Sequence, residues 1–490
     1  MTSDRKHMNR RALLAGAGAM GLAASITRVE AALLPDPDVA FDLDVVVVGS
    51  GMAGAAAALE AAQNGARVVV LDKLSERSSG GNSLLAGGGF SVPYDDSDEA
   101  RQAFAEDFAK KAQGRGNVDL DRVFAANVRQ DVAWLKEAGV EFVPEIQWAP
   151  YRLNIVVAEP GWYMGMPKLL KGLRTQIEAA GGEYRFEVKA HQLKMDTKGA
   201  VVGIRTVGKD GVVDYNAPAV ILASGGYAGN TRMLQAYSDP AAGALMVRGV
   251  KSATGDGHLM AQEAGAGLAG MGGLMALHIA AVDPVETAAG NPFGILPYTV
   301  AVNRDGQRYI DESLGYVANG KAVLSQPGQR CALVFGTTVA QSDAAQASLG
   351  TFKRLGIGVT EAGSLEALAD SIGVPADALI NTIEAYNAAI DGDSAPGLEP
   401  PKAALAREID GPTYYAIQPL APGVTLTFGG IMIDDRARVL EADKRIIPGL
   451  FAAGECAGAP FYDDYIGGGS LTNCLVMGRI AGREASGSPT

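Results

Sequence analysis

Residues 44–73 decide the fold, and they read D-V-V-V-V-G-S-G-M-A-G-A-A-A-A-L-E-A-A-Q-N-G-A-R-V-V-V-L-D-K. The apolar β-branched run Val45–Val48 predicts a strand that is buried on both faces. The alanine-rich run over residues 55–62 predicts a helix, and residues 68–71 predict a second buried strand. The stretch therefore predicts a βαβ unit with parallel strands.

The turn between the first strand and the helix carries three glycines in the pattern G-x-G-x-x-G, at Gly49, Gly51 and Gly54. These glycines permit a tight turn, close approach of the backbone to a pyrophosphate, and close packing of helix on strand. Asp72 ends the second strand 21 residues after Gly51, where a carboxylate can accept both hydroxyls of an adenosine ribose. The pattern predicts a dinucleotide-binding fold, with an ordinary βαβ unit and chance glycines as the alternative.

The N-terminus has the sequence of an export signal. Its paired arginines, Arg10 and Arg11, precede an apolar run over residues 12–26 and a small-residue cleavage site at residues 29–31. We predict a twin-arginine signal peptide over residues 1–31, which directs an already folded protein to the bacterial periplasm. The alternative is a flexible N-terminus. G-x-G-x-x-G also occurs in this apolar run, where no strand precedes it, at Gly16, Gly18 and Gly21.

The composition excludes several classes of protein. The 490-residue chain has a formal charge of −13, and loss of residues 1–31 removes five basic and two acidic residues, which leaves −16. Such an acidic protein is a poor partner for nucleic acid or anionic membrane. The three cysteines form no C-x-x-C pair, and the four histidines have no metal-ligand spacing, so we expect no metal. Beyond the signal, no apolar run is long enough for a stable membrane anchor.

Other segments predict further contacts with the cofactor. Residues 74–90 form a glycine-rich loop, and residues 219–230 read as a buried strand that ends in glycines. T-G-D-G at residues 254–257 opens a helix, and residues 448–458 form another short strand that ends on Gly-Glu. Because both ends of the chain return to one sheet, we predict an α/β, doubly wound, Rossmann-like domain. We place it at residues 38–274 and 416–490, and an inserted α+β substrate (capping) domain at residues 275–415.

The remaining pattern predicts mainly helices and one small meander. Helices are expected over residues 98–140, with a strongly periodic segment from Val118 to Gly139, and over residues 163–182. A helical stretch is also expected from Ser364 to Ala389. Alternating segments predict an antiparallel meander, over residues 183–194, 201–208 and 212–216.

Several motifs in this order resemble the flavoprotein family of fumarate reductase and succinate dehydrogenase, to which 3-ketosteroid dehydrogenases also belong. They are V-V-V-V-G-S-G-M-A-G, G-G-N-S, A-V-I-L-A-S-G-G-Y, T-G-D-G, N-R-D-G-Q-R-Y-I-D-E, G-G-I-M-I-D and G-L-F-A-A-G-E. The resemblance implies FAD. No histidine stands in the loop from Ser78 to Ser83, so we expect the FAD to be non-covalent. The residues expected to bind it are Gly49, Gly51, Gly54, Asp72, Lys73, Gly81, Asn82, Ser83, Gly87, Gly88, Val188, Ala223, Ser224, Gly225, Asp256, Glu455, Ser470 and Leu471.

The chain departs from the fumarate reductases where those enzymes carry cations. The resemblance places Tyr316, Leu426 and Tyr465 at positions that hold a proton-donating arginine, a histidine and a carboxylate-binding arginine in that family. His278 alone remains of the set. Burying a dicarboxylate without cationic partners costs several kcal/mol per charge, about the scale of a lost ion pair. We therefore expect that the substrate is not a dicarboxylate.

The replacing tyrosines resemble a pair in the 3-ketosteroid dehydrogenases. The resemblance implies that Tyr465 and the amide of Gly469 polarise a ketone, which makes its α proton more acidic. Tyr316 then removes that proton as hydride leaves the β carbon for flavin N5. This role requires a lowered pKa at Tyr316, for which Tyr151 and Tyr163 are candidate hydrogen-bond donors.

We expect a small hydrophobic cyclic ketone as substrate and a separate electron acceptor or donor, a quinone or a cytochrome. One alternative is an exported reductase of activated alkenes that is fed by a respiratory donor. Another is a flavoprotein that binds a ligand or passes electrons without catalysis. Both tyrosines have a further structural interpretation, as packed residues whose hydroxyls are satisfied.

Overall fold

The computed structural model describes residues 34–148, 151–160, 164–279, 281–282, 285–286, 291–458, 460–462 and 464–487. The predicted signal peptide and Tyr163 lie outside these residues. The chain from Pro37 to Thr490 forms one compact unit. Within the described residues, no helix is both long and apolar enough to cross a membrane.

The helices of the described residues are α1 (Met52–Gln63), α2 (Asp98–Lys111), α3 (Val118–Glu137), α4 (Met166–Ala179), α5 (Thr231–Tyr237), α6 (Asp256–Glu263), α7 (Tyr316–Ala322), α8 (Thr337–Ala340), α9 (Asp343–Leu355), α10 (Leu365–Ile372), α11 (Ala376–Ala388) and α12 (Gly469–Ala485). Short 3₁₀ helices lie at Glu76–Ser78, Gly81–Leu85, Pro240–Ala244, Leu296–Tyr298, Glu312–Leu314, Val323–Ser325, Pro327–Gln329 and Gly454–Cys456.

The strands are β1 (Val39–Asp42), β2 (Val45–Val48), β3 (Val68–Asp72), β4 (Gly89–Pro93), β5 (Ile146–Trp148), β6 (Tyr151–Ile155), β7 (Glu183–Phe186), β8 (Val188–Met195), β9 (Val201–Gly208), β10 (Gly211–Asn216), β11 (Ala219–Leu222), β12 (Met246–Val247), β13 (Leu268–Ala269), β14 (Leu274–Ile279), β15 (Ala281–Val282), β16 (Val285–Glu286), β17 (Val300–Asn303), β18 (Cys331–Phe335), β19 (Val359–Ala362), β20 (Tyr414–Thr427), β21 (Gly430–Ile431), β22 (Arg438–Leu440) and β23 (Ile446–Ala452).

The sheet that positions the cofactor has the strand order β22-β23-β11-β2-β3-β7. All its pairings are parallel except that of β22 with β23. All four residues of β2 are buried, because β3 and β11 flank the strand, and α1, α12 and the antiparallel strands β8 and β9 pack on the sheet. The predicted βαβ unit and the doubly wound α/β sheet are confirmed.

The predicted meander begins later than expected. Residues 183–186, predicted as its start, instead extend the parallel sheet as β7, where Phe186 pairs with Asp72. Glu187 has a φ of 59° and separates β7 from β8. The antiparallel strands are thus β8, β9 and β10, and β1 adds a parallel edge beside β10. A short alternating run does not reveal the change of sheet at Glu187.

A second six-stranded sheet carries much of the region that we assigned to the inserted domain. Its path is β12-β20-β18-β17, and β14 and β19 also pair with β20. The long strand β20 (Tyr414–Thr427) runs through the predicted boundary at residue 416, so this strand connects both predicted domains. The boundaries themselves stay a prediction. The expected helical stretch from Ser364 to Ala389 is two helices, because Gly373 adopts a φ of 71° between them.

Candidate functional site: a cofactor cleft and two tyrosines

The glycine turn after β2 is packed too closely for a side chain at two of its three glycines. A Cβ on Gly49, which has a φ of +107°, would overlap the carbonyl oxygen of Ala223, and a Cβ on Gly54 would overlap the oxygen of Gly49. Helix α1 begins after Gly51, which has no side chain to cap it. Its positive N-terminal end therefore faces the loop of Ser83, whose hydroxyl accepts from the Met52 amide at 2.9 Å. This turn fits a pyrophosphate.

Asp72 lies at the end of β3, beside the glycine turn. Its carboxylate accepts hydrogen bonds from the Ser50 amide at 3.2 Å, from the Ser50 hydroxyl, and from the Leu74 amide at 2.9 Å. These bonds hold the carboxylate at the edge where a Rossmann-type fold places the ribose. Its role toward the ribose stays a prediction.

Two of the predicted cofactor segments meet directly at Asn82 and Glu455. The Asn82 side-chain amide donates to Glu455 Oε2 at 3.1 Å, and its oxygen accepts from the Val250 amide at 2.8 Å. The other Glu455 oxygen accepts from the Thr427 amide at 2.9 Å. Burial raises the pKa of Glu455, and these hydrogen bonds act against that effect. Thr425 also accepts from Asn82, through its carbonyl oxygen at 3.2 Å. The two threonines lie on β20 and were not predicted.

Asp256 is more strongly paired than predicted. We expected its carboxylate to be available to a cofactor hydroxyl, but Lys73 Nζ lies 2.5 Å from one oxygen and Lys189 Nζ lies 3.3 Å from the other. Thr254 donates to it at 3.0 Å. Burial acts to raise the pKa of Asp256, and the two lysines and Thr254 reverse this, so that the pKa is lowered. Asp256 therefore remains an anion between two cations.

The other predicted cofactor residues lie in loops and at the first residues of helices and strands. Gly81 begins a 3₁₀ helix, Gly87 and Gly88 precede β4, and Val188 opens β8. Ala223, Ser224 and Gly225 follow β11, while Ser470 and Leu471 form the first turn of α12. The glycine-lined turn and the N-terminus of α1 fit a dinucleotide such as FAD. The individual contacts stay predictions.

Tyr316 and Tyr465 pack against the same apolar cluster, together with Leu426. Tyr316 is the first residue of α7, and the exposed Phe293 meets its ring edge-on at 6.3 Å. Tyr465 stacks on Phe428, with ring centroids 6.3 Å apart and planes 8° apart. The three positions at which the resemblance expects cations thus hold uncharged side chains that border the main apolar core, and Tyr465 acts electrostatically on Tyr316.

The predicted lowering of the Tyr316 pKa is wrong. Burial raises the pKa of Tyr316 well above its ordinary value, and Tyr465, Asp464 and Tyr151 raise it further, whereas Arg248 acts to lower it. Tyr316 is therefore a neutral phenol at ordinary pH. Tyr151, named as a candidate donor that would lower this pKa, instead acts to raise it.

Gly469 does not present a free amide. Its N–H donates to the carbonyl oxygen of Ile466 at 2.8 Å, so the predicted hydrogen bond from this amide to a ketone is contradicted. A Cβ here would lie 2.5 Å from Phe461 Cζ, and close packing explains the glycine. The Tyr465 hydroxyl instead receives hydrogen bonds from Ser470 and Gly468, which partly offset the rise of its pKa by burial.

His278 cannot supply a cation to the surroundings of Tyr316 and Tyr465. The side chain is 1% exposed on β14, and burial lowers the pKa of His278 to about 4. The imidazole is therefore neutral and enclosed. Arg248, which was not predicted, is the cation that reaches Tyr316 electrostatically, and its Nη1 donates to the Thr425 hydroxyl at 3.2 Å. It lies outside the motifs, so the sequence carried no signal for it.

Within the part of the chain that the structure describes, no three His, Cys, Asp or Glu side chains could hold a metal ion.

Comparisons with known proteins agree with this cleft. A family model described as an FAD binding domain matches residues 44–471. A fumarate reductase (cytochrome) of Shewanella frigidimarina is 31% identical over 91% of this chain and 77% of its own length. A urocanate reductase of Eggerthella lenta is 31% identical over 91% of this chain and 75% of its own. The solved 3-ketosteroid-Δ4-(5α)-dehydrogenase of Rhodococcus jostii, bound to 4-androstene-3,17-dione, has a TM-score of 0.74 at 25% identity, covering 93% of this chain and 99% of that one.

Proposed function

We propose a reaction for this chain, which belongs to the fumarate reductase and succinate dehydrogenase family of FAD-dependent oxidoreductases. The protein forms or saturates a C=C bond beside the ketone of a hydrophobic cyclic substrate. The observation that carries the proposal is that Tyr316, Leu426 and Tyr465, all uncharged, border the main apolar core, with Tyr465 acting electrostatically on Tyr316. Its substrate class is steroid-like, in line with the likeness to the ketosteroid dehydrogenase.

The surroundings of Tyr465 suit an uncharged substrate. Tyr465, Phe428 and Phe461 form a cluster of three aromatic rings, and the Phe428 and Phe461 centroids lie 6.3 and 5.0 Å from that of Tyr465. A dicarboxylate placed here would lose its hydration without gaining the paired cations that offset this loss. A flat apolar ring with one ketone loses little on transfer from water and gains contact with the aromatic rings.

Tyr465 is suited to hold the ketone oxygen. Ser470 and Gly468 donate to its hydroxyl oxygen, and a hydroxyl that accepts hydrogen bonds becomes a better donor. A hydrogen bond from Tyr465 to the carbonyl stabilises the negative charge that develops on oxygen when the α proton leaves. In this proposal the Tyr465 hydroxyl polarises the ketone without the amide of Gly469, which donates to Ile466.

Tyr316 moves the proton. Dehydrogenation removes a proton from the α carbon and a hydride from the β carbon, and a C=C bond forms between them. Bound FAD supplies the acceptor for that hydride, or its donor when the double bond is saturated. Tyr316 as phenolate takes the α proton, and Tyr316 as phenol returns it in the opposite direction.

The raised pKa of Tyr316 makes the two directions respond differently to pH. The phenolate needed for dehydrogenation is scarce below the raised pKa of Tyr316, and its population increases about tenfold per pH unit there. The phenol needed for saturation is fully populated in the same range. Arg248, the cation beside Tyr316, favours the phenolate.

A second candidate function is the reduction of an enoate. The neutral phenol of Tyr316 suits proton donation to an alkene carbon, and Arg248 offers a charge for a single carboxylate. The curated relatives named as fumarate and urocanate reductases support this candidate. In either case we propose a separate electron partner, a quinone or a cytochrome, and export by the twin-arginine route.

The experiment is anaerobic mixing of the oxidised holoenzyme with saturated 3-ketosteroids and cyclohexanone. We expect ketones to bleach the flavin. Urocanate and fumarate, mixed with the dithionite-reduced enzyme, are the control. Failure of every ketone to bleach the oxidised flavin, together with rapid reoxidation by urocanate, would replace the proposed function by the second candidate.

A further inference from the structure

Helix α2 presents one face to the surroundings of Tyr316. Phe104, Phe108 and Lys111 are spaced by four and three residues and therefore lie on the same side of the helix. Phe104 meets Tyr151 edge-on at 6.0 Å. Phe108 stacks on Phe461 at 5.0 Å, and Phe461 in turn contacts the ring of Tyr465 at 5.0 Å.

The last residue of that face holds the segment before Tyr465. The Lys111 ammonium forms an ion pair with Asp464, whose side chain is 26% exposed against 34% for the lysine. The Asp464 amide donates to the Lys111 carbonyl at 3.3 Å, and Asp464 Oδ1 accepts from the Tyr465 amide at 2.8 Å. Beyond the helix, the Arg115 guanidinium lies 4.3 Å from the ring centroid of Tyr462. The C-terminal end of α2 and the residues just after it thus contact Tyr462 and Asp464, which lie before Tyr465, at several points.

We propose that Lys111 is a positioning residue of the reaction, which holds Asp464 and Tyr465 in place beside Tyr316 and neutralises the carboxylate next to that phenol. The inference rests on the proposed function, because it takes Tyr316 as the proton-transferring group. Helix α2, which ends at Lys111, carries none of the family's motifs.

Charge balance explains why the ion pair matters. The ionisable groups that act on Tyr316 are Tyr465, Asp464 and Tyr151, which disfavour the phenolate, and Arg248, which favours it. An unpaired Asp464 would repel the phenolate more strongly, since a like charge nearby disfavours the charged form. The ammonium of Lys111, paired with this carboxylate, offsets part of that repulsion. Removal of the lysine and removal of the carboxylate should therefore change proton transfer in opposite directions.

The test compares Lys111→Met, Asp464→Asn and the conservative Lys111→Arg in the holoenzyme. The measurement is the rate of flavin reduction by a saturated 3-ketosteroid between pH 7 and 10. Asparagine keeps the oxygen that accepts from the Tyr465 amide, so this variant changes the charge more than the contact. We expect Lys111→Met to lower the rate about threefold to tenfold at each pH and Asp464→Asn to raise it by a similar factor, which is roughly half to one pH unit of displacement. Lys111→Arg should stay within about twofold of the parent.

Two further measurements separate charge from folding. FAD content and thermal unfolding should be close to the parent in all three variants, and flavin absorbance should report an unchanged dissociation constant for 4-androstene-3,17-dione. Equal losses of rate in Lys111→Met and Asp464→Asn, with pH profiles that are not displaced, would refute the inference and leave Lys111 a structural latch. Tyr316→Phe distinguishes failure of the proposed function from failure of the inference about Lys111. If that variant turns over normally, the proposed function itself fails, whereas its inactivity with undisplaced Lys111 profiles overturns the inference alone.

Discussion

Asn82 donates a hydrogen bond of 3.1 Å to Glu455 across 373 residues of sequence, and this bond joins the glycine-rich loop after β3 to the end of β23. Burial raises the pKa of the Glu455 carboxyl, so its charge depends on its hydrogen-bond partners. The Asn82–Glu455 contact links two segments, far apart in sequence, that we predict to bind the cofactor. The integrity of the cleft can therefore be tested at one side chain.

Asn82→Leu should weaken FAD binding. The substitution removes donors from Glu455 and from the Thr425 carbonyl and leaves a buried carboxylate short of a partner, which costs about 1–3 kcal/mol. We expect the dissociation constant of FAD to rise about tenfold, measured by flavin fluorescence on reconstitution of the apoprotein. Gln102→Leu is the matched control, because that exposed amide bonds only to Glu106 among the contacts described on α2. Equal FAD affinity in both variants would contradict this account of Asn82.

Gly469→Ala should impair the site by crowding. The new methyl group would lie 2.5 Å from Phe461 Cζ, and overpacking of this kind costs about 1–3 kcal/mol. We expect a lower thermal midpoint and slower flavin reduction. Phe461→Leu, which removes the obstructing ring, should recover part of both losses in the double variant. An alanine variant as stable and as fast as the parent would show that the glycine is not required for packing.

Lys402→Met should destabilise the region that carries Tyr316. The ammonium of Lys402 is fully buried and donates to Glu312 Oε2 and to the Thr299 carbonyl, each at 3.0 Å. Arg308 alone would then pair with the buried Glu312 carboxylate. Breaking a buried pair costs about 3–5 kcal/mol, which denaturant unfolding would detect. Lys353→Met, on an exposed face of α9, is the control and should leave the midpoint unchanged. An equally small effect at Lys402 would mean that water or Arg308 compensates.

The pH dependence should differ between the two directions of the reaction. Because burial raises the pKa of Tyr316, the phenolate fraction increases with pH throughout the range in which the enzyme is folded. Flavin reduction by a saturated ketone should therefore rise with pH, up to about tenfold per unit, without a plateau below pH 9. Reoxidation of the reduced enzyme by the conjugated ketone should be nearly flat over that range. A rate of dehydrogenation that is independent of pH would show that Tyr316 is not the base.

The parts of the fold that were predictable are those with a contiguous signal. Val45–Val48, the glycine turn and Asp72 lie within one short stretch of sequence, and the structure places the turn and Asp72 at the ends of the neighbouring parallel strands β2 and β3, as expected. The hydrogen bonds from β20 were not predictable. Thr425 and Thr427 contact Asn82 and Glu455, and the local sequence pattern of the strand does not indicate these distant partners.

The chemistry of the candidate site depends on states that a sequence does not show. Tyr316 and Tyr465 are predicted because they replace cations in a family pattern; both border the main apolar core, and their catalytic roles stay predictions. The direction of the Tyr316 pKa depends on burial, which is a property of tertiary packing. The amide of Gly469 was misassigned because a sequence does not show that its N–H already donates to Ile466.

The central claim is that Tyr316 exchanges a proton with the carbon next to a ketone. Stopped-flow mixing of oxidised holoenzyme with a saturated 3-ketosteroid, in the parent and in Tyr316→Phe, tests it most directly. The account predicts rapid bleaching in the parent and a loss of at least about a thousandfold in the variant, the usual scale for a removed acid–base group. FAD content and ketone affinity should be unchanged. Bleaching of Tyr316→Phe at the parental rate would contradict the account.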